Sequence, residues 1–127
     1  TGHLLFTAWD SEQPATLSPT IIGDVIRGQI GFDGLLLTDD IDMEALDGSI
    51  PERSARALAA GCDLVLNCWA KMDDMTGIAA ACPAMRADSA ARLDRALAAI
   101  APVDSYETAQ LLAKRDALLG IVEADRA

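Results

Sequence analysis

Short apolar runs alternate with amphipathic stretches along the chain, and the breakers between them predict an α/β order of elements. Leu4-Leu5-Phe6-Thr7-Ala8-Trp9 is apolar and partly aromatic and ends at Asp10-Ser11-Glu12-Gln13-Pro14, so it reads as a strand followed by a loop. Ser18 and Pro19 then supply an N-cap and a first helical residue. Ile21, Ile22, Val25, Ile26 and Ile30 fall on one helical face before Gly31. After the turn-like Phe32-Asp33-Gly34, the run Leu35-Leu36-Leu37-Thr38 is apolar without alternation, the pattern of a strand buried on both faces of a parallel sheet. A loop through Gly48 and Pro51 leads to a helix from Glu52 to Ala60 closed by Gly61. Cys62-Asp63-Leu64-Val65-Leu66-Asn67 repeats the buried-strand pattern. The Ala-rich remainder, broken at Pro83 and Pro102, predicts helices over about Met72 to Ala81, Ser89 to Ile100 and Ser105 to Asp125.

Strand, helix, strand, helix, strand, helices is the order of a parallel α/β fold. An open doubly wound sheet would carry a Gly-rich phosphate turn between a strand and a helix, and the sequence has none. The competing architecture is part of a TIM-type (β/α)8 barrel. A complete barrel takes about 250 residues, and three βα units within 127 residues are less than half of one. Such a piece leaves open sheet edges and an uncovered apolar interior, which predicts self-association or pairing with the rest of the barrel.

Composition removes several function classes. A chain 51% hydrophobic and 24% charged is globular rather than disordered. Its 20 acidic and 10 basic residues give a net charge of -10, the same sign as nucleic acid and anionic membranes, so neither is an expected partner. Cys62, Cys68 and Cys82 form no C-x-x-C pair and are odd in number, which argues against a disulfide framework or structural zinc and for reduced, mostly buried thiols. No run approaches the roughly 18 apolar residues of a membrane span. With no basic-then-apolar leader, the cytoplasm is the expected location, and the abrupt opening at Thr1-Gly2-His3 is that expected of a fragment.

The most informative chemistry is the cluster Asp39-Asp40-Ile41-Asp42-Met43-Glu44. Asp39 sits one residue beyond the predicted second strand, at the rim where α/β proteins place catalytic groups. A carboxylate held there is suited to nucleophilic attack or metal ligation. Position alone leaves open a second reading, a solvated acidic loop whose Asp residues cap the next turn. Asp40-Ile41-Asp42 also has the outline of a Mg²⁺-dependent phosphotransfer motif, but Met43 stands where that motif needs Thr. Asp40 and Asp42 fit a loop-ordering pair better. Trp69, just past the third strand, suits either the wall of a sugar site or a packed interface. Met72, Met75 and Met85 are spaced with Ile78 as core residues, and Arg53 and Arg56 as surface partners of solvent or nearby acids.

The run Val25-Ile26-Arg27-Gly28-Gln29-Ile30-Gly31-Phe32-Asp33-Gly34-Leu35-Leu36-Leu37-Thr38-Asp39-Asp40-Ile41-Asp42 resembles the active-site signature of family 3 glycoside hydrolases throughout its length. Thr1-Gly2-His3, Pro14-Ala15-Thr16-Leu17-Ser18-Pro19, Asp39 to Met43 and Ala59-Ala60-Gly61-Cys62-Asp63 are similar to the bacterial β-N-acetylglucosaminidases of that family, which act in peptidoglycan recycling. The resemblance implies a barrel that releases terminal β-linked N-acetylglucosamine from muropeptides with retention of configuration and without metal or organic cofactor. It makes Asp39 the catalytic nucleophile, with Met43 at the barrel mouth on the substrate side. The family's acid/base is a His paired with Asp on a loop from an earlier part of the barrel, beside a Lys-His-Phe-Pro-Gly-His-type segment. Neither is in this sequence. The single histidine, His3, matches another family position, at the start of a late barrel strand, where it is either a substrate-pocket residue or a hydrogen-bonded structural one. The resemblance thus makes the chain the C-terminal portion of the barrel, its last three βα units over residues 1–101, followed by a C-terminal helix over 102–127. The alternative is a non-catalytic α/β fragment that associates with itself or its missing half.

Overall fold

The computed structural model describes residues 1–100 and 108–124, and at its centre lie two parallel strands, β1 (Leu37–Asp40) and β2 (Leu64–Leu66). Leu37 faces Leu64 and Asp40 faces Leu66, so three steps along β1 match two along β2. That mismatch is a bulge, and Thr38 and Asp39 lie within it. The Leu66 N–H donates to Thr38 Oγ1 at 2.9 Å, and the Ile41 N–H donates to the Leu66 carbonyl at 2.8 Å.

The other edge of β1 is occupied by the first residue. The Thr1 amino group donates to the Leu37 carbonyl at 2.6 Å, and the Asp39 N–H donates to the Thr1 carbonyl at 2.8 Å, the parallel pattern. The first strand was expected over Leu4 to Trp9. Instead, the strand-like pairing belongs to Thr1, and Phe6 to Asp10 form a turn in which the Trp9 and Asp10 N–H groups share the Phe6 carbonyl. Leu4, Leu5, Phe6 and Trp9 are exposed. An apolar run fits a strand only where neighbours cover it, and among the described residues nothing covers this one.

Ala15–Leu17 form one 3₁₀ turn, and a π-helix runs over Thr20–Gln29. Ser18 caps it as its residue type predicts, its Oγ accepting from the Ile21 N–H at 3.0 Å and donating to Asp10 Oδ2 at 2.6 Å. Ile21, Ile22 and Val25 are buried, but Ile30 is 70% exposed. Bonds to the fifth residue back, such as Ile30 N–H to the Val25 carbonyl, widen the turn and carry Ile30 off the expected face.

Helix α1 (Ile50–Ala60) begins two residues before the expected Glu52, because Ser49 and Glu52 make a capping box with Pro51 in the first turn. It ends at Gly61, whose φ of +118° is open to glycine and whose missing Cβ would lie 2.8 Å from Ile22 Cγ2. Helix α2 (Met72–Ala81) matches its expected span, and α3 (Ala87–Ala98) starts two residues early. Helix α4 (Thr108–Ala124) lies within the last predicted helix, of which Ser105 to Glu107 and Asp125 are outside the described residues.

The core packs α1 and the 3₁₀ turn against one face of the sheet, with Leu17, Ile22, Leu36, Ile41, Leu46, Ala57, Ala60 and Cys62 buried together. On the opposite face Leu37 and Leu66 are exposed, so the expected burial on both faces is met on one only. Met72 and Met75 are likewise exposed rather than core, on a helix α2 that contributes no buried residue, and Met85, between α2 and α3, is exposed too. No described helix is long and apolar enough to cross a membrane.

Candidate active site

Asp39 belongs to β1 itself, next to its last residue, rather than lying beyond the strand as expected. The bulge and the alternation along β1 place its exposed side chain on the open face of the sheet, the face of Leu37. Asp39 Oδ1 accepts from the Asp40 N–H at 2.8 Å, and among the described residues no donor reaches Oδ2. The backbone beneath is pinned on both sides, by Thr1 at one edge and by the Thr38 hydroxyl at the other. The result is a rigid strand end carrying a carboxylate with an uncommitted oxygen.

Asp40 does the loop-ordering expected of it. Its Oδ1 accepts from the Cys68 N–H at 3.0 Å and the Asp42 N–H at 3.2 Å, tying the loops after β1 and β2 together. The Cys68 N–H is the main reason its carboxyl sits below the usual carboxylate range, against a smaller opposing effect of burial. Asp42 is not its symmetrical partner. Asp42 Oδ2 is buried and has no hydrogen-bond partner among the described residues. Cys68, expected among buried thiols, is exposed. Its thiol is pushed up first by local desolvation and then by the charges of Asp40, Asp39 and Asp42, which shows how closely the acidic rim surrounds it.

Both ring nitrogens of His3 are engaged within the chain, Nδ1 with Thr16 Oγ1 at 2.8 Å and Nε2 with the Asp40 carbonyl at 2.9 Å. A carbonyl only accepts, so Nε2 carries a proton. The imidazole thus braces the strand end from behind Asp39. Thr16, fully buried, also bonds Thr1 Oγ1 and the Gly2 carbonyl. Met43 is exposed and lines a cleft of about 360 Å³ with Asp42, Glu44, Trp69 and Lys71.

Two residues have more structural work than their sequence positions suggested. Arg53, expected at the surface, donates to the Ile41 and Met43 carbonyls at 3.2 and 3.1 Å and holds the acidic loop down. Asp63 is the buried hub at the other end of the strands. It accepts from the Leu36 N–H (2.9 Å), Arg27 (2.8 Å), Ser89 Oγ (2.6 Å) and Arg92 (3.0 Å). Burial pushes its carboxyl up, but the Ser89 and Leu36 bonds and the charges of Arg92 and Arg27 outweigh it, and the net shift is downward. A charged residue opening an apolar strand is the signal that could have found it, since such a group is buried only when paired. Among the described residues, no three His, Cys, Asp or Glu side chains converge as metal ligands.

Residues 1–103 match the family model described as the glycosyl hydrolase family 3 N terminal domain. A β-hexosaminidase of Chromobacterium violaceum is 42% identical over 96 residues, 74% of this chain and 27% of that protein. One of Tolumonas auensis is 44% identical over 69 residues, 53% of this chain and 20% of that protein. The crystal structure of the β-N-acetylglucosaminidase from Thermotoga maritima superposes with a TM-score of 0.63 at 29% identity, over 80% of this chain and 25% of that one. The chain therefore spans about a quarter of the length of these relatives.

Proposed function

The chain belongs to glycosyl hydrolase family 3, and from that premise we propose that it supplies the nucleophile-bearing part of a retaining glycosidase that releases terminal β-linked N-acetylglucosamine from cell-wall muropeptides in the cytoplasm. The observation that carries the proposal is Asp39, held in a bulge near the carboxyl end of β1 with one oxygen uncommitted. In the first step that oxygen attacks the anomeric carbon. The bond to the leaving oxygen breaks, and an acid from outside these residues protonates it. In the second step water, deprotonated by the same group, displaces Asp39 and releases the sugar with its original configuration. His3 is a positioning residue here, since its two nitrogens already serve Thr16 and Asp40. Met43 contributes to the sugar side of the mouth.

As the C-terminal portion of a (β/α)8 barrel, the chain would turn Leu37 and Leu66 toward the interior and leave the outer edge of β2 for a neighbouring strand. The same exposed residues favour a second reading, a non-catalytic fragment that pairs with itself or with its missing half. Two measurements separate them. A fluorinated glycosyl donor trapped on the protein at full barrel length should label the peptide holding Asp39, and Asp39→Asn should abolish hydrolysis; a label elsewhere, or undiminished turnover in the variant, defeats the assignment. Light scattering and a hydrolysis assay on residues 1–127 should give an inactive oligomer. An active monomer would overturn the claim that the acid comes from elsewhere.

A further inference from the structure

Leu66 holds the end of β1 through both of its backbone polar groups. Its N–H donates to Thr38 Oγ1 at 2.9 Å and its carbonyl accepts from the Ile41 N–H at 2.8 Å, so one residue of β2 closes on a segment of β1 with Asp39 and Asp40 between its ends. Regular pairing onward from Leu37 opposite Leu64 would bring Asp39 opposite Leu66. The bulge brings Asp40 there instead. At the other edge of β1 the Thr1 carbonyl accepts from the Asp39 N–H. Of these three bonds, the one to Thr38 alone is made by a side chain, so a substitution can remove it without touching the main chain.

Thr38 is a polar residue in an apolar place. It follows three leucines and is 4% exposed. A valine would fill much the same space with no hydroxyl to desolvate, so the hydroxyl is kept against a cost, and the partner that offsets it is the Leu66 N–H. Asp39 depends on that arrangement more than an ordinary strand residue does. Its recorded side-chain bond, Oδ1 to the Asp40 N–H, is to its neighbour in the same bulge, so among the described residues nothing outside the bulge fixes the carboxylate. The direction of Asp39 is inherited from the backbone beneath it. Bulges re-aim side chains, and a misplacement of about 1 Å can cost about a hundredfold in rate.

We propose that Thr38 is a positioning residue for Asp39: by taking the Leu66 N–H, its hydroxyl sets the bulge and thereby the direction in which the carboxylate meets the anomeric carbon. This rests on the glycosidase reading above, and the test keeps the two apart. The protein at full barrel length is prepared as wild type, Thr38→Val, Thr38→Ala and Thr38→Ser; Val and Ala remove the oxygen with and without the loss of volume, so a folding failure of one leaves the other. Three quantities are read. They are exchange of the Leu66 amide hydrogen, trapping of the fluorinated glycosyl donor resolved into affinity and rate constant, and labelling of Asp39 by a water-soluble carbodiimide with glycine ethyl ester, which needs a free carboxylate and no sugar.

Thr38→Val and Thr38→Ala should speed Leu66 exchange by about tenfold, the effect of one lost hydrogen bond. They should lower the trapping rate constant by about 10–100-fold with donor affinity within about twofold, and slow carbodiimide labelling of Asp39 about fivefold. Thr38→Ser, which keeps the oxygen, should return all three to within about threefold of wild type. A general loosening of the fold would weaken affinity along with rate and would not be rescued by Ser. Trapping at the wild-type rate in the oxygen-free variants overturns the positioning role whatever Leu66 exchange does, and so does a loss that Ser fails to restore. If the wild-type protein traps no donor, the glycosidase reading fails by itself and the labelling decides Thr38: slowing that Ser reverses supports the role, and unchanged labelling overturns it.

Discussion

Replacing Asp63 by Asn tests what holds the strands in register. The wild-type carboxylate receives four hydrogen bonds, two on each oxygen, from β1's approach at Leu36, from Arg27 on the π-helix and from Ser89 and Arg92 on α3. Asn offers one acceptor oxygen and turns an amide donor toward the other two donors. Breaking a buried pair from one side typically costs about 3–5 kcal/mol. Here the side chains of Arg27 and Arg92 are 18% and 16% exposed, so water can take up part of their charge and the lower end applies, about 3 kcal/mol. With a urea slope of about 1.5–2 kcal/mol/M, the midpoint should fall by roughly 1.5–2 M.

The pH dependence supplies an independent check. Asp63 has a folded pKa below its unfolded value of about 3.9. Its contribution is therefore complete above the unfolded pKa and lost as pH falls through the folded one. The stability gap between wild type and Asp63→Asn should be flat from pH 8 to about pH 5 and close progressively below about pH 4. A gap under about 1 kcal/mol at pH 7, or one that persists undiminished at pH 2, would refute the hub.

Two further changes probe the rim and the core. Cys68, although exposed, should react with iodoacetamide at pH 8 several-fold more slowly than a free cysteine peptide, because its raised pKa leaves little thiolate; Asp40→Asn should speed labelling as mapped by mass spectrometry, and no response would contradict the acidic surroundings. Gly61→Ala forces a Cβ into both a left-handed conformation and the Ile22 side chain, so it should destabilise by about 1–3 kcal/mol in chemical denaturation, whereas unchanged stability would mean that the α1 terminus is looser than its contacts imply.

What could be read from the sequence follows the range of the physics involved. The Gly61 end of α1, the Ser18 cap and the span of α2 depend on neighbours within a few residues, and these were legible; the Ser49–Glu52 capping box was equally local but was overlooked. Leu4 to Trp9 was misplaced because an apolar run records a demand for cover, whereas cover comes from other segments. The π-helix was missed because its apolar positions satisfy the 3.6 period for two turns, and only Ile30 betrays the wider turn. Near the proposed site, an acidic group at the end of the apolar run was legible, but not that β1 itself continues through Asp40. The bulge was not, since it depends on the register of β1 against β2, residues 26 or 27 apart. The same limit hid Arg53 on the loop carbonyls and the orphaned oxygen of Asp42.

Asp63 and Asp39 show how one residue type serves opposite ends of a strand pair. At the amino end, Asp63 is buried, both its oxygens are saturated, and its charge is neutralised by Arg27 and Arg92, of which Arg27 also grips the Phe32 and Gly34 carbonyls. A carboxylate so committed has no lone pair to offer, and it anchors the fold. At the carboxyl end the donors of the strand ends serve acceptors other than Asp39. The Leu66 N–H goes to Thr38 Oγ1, the Cys68 and Asp42 N–H groups go to Asp40, and His3 is spent on Thr16 and the Asp40 carbonyl. Each diversion stiffens the scaffold, and among the described residues no donor reaches Asp39 Oδ2. An oxygen left free in this way fits the role proposed for Asp39, because a carboxylate already bonded twice on each oxygen must break those bonds before it can attack.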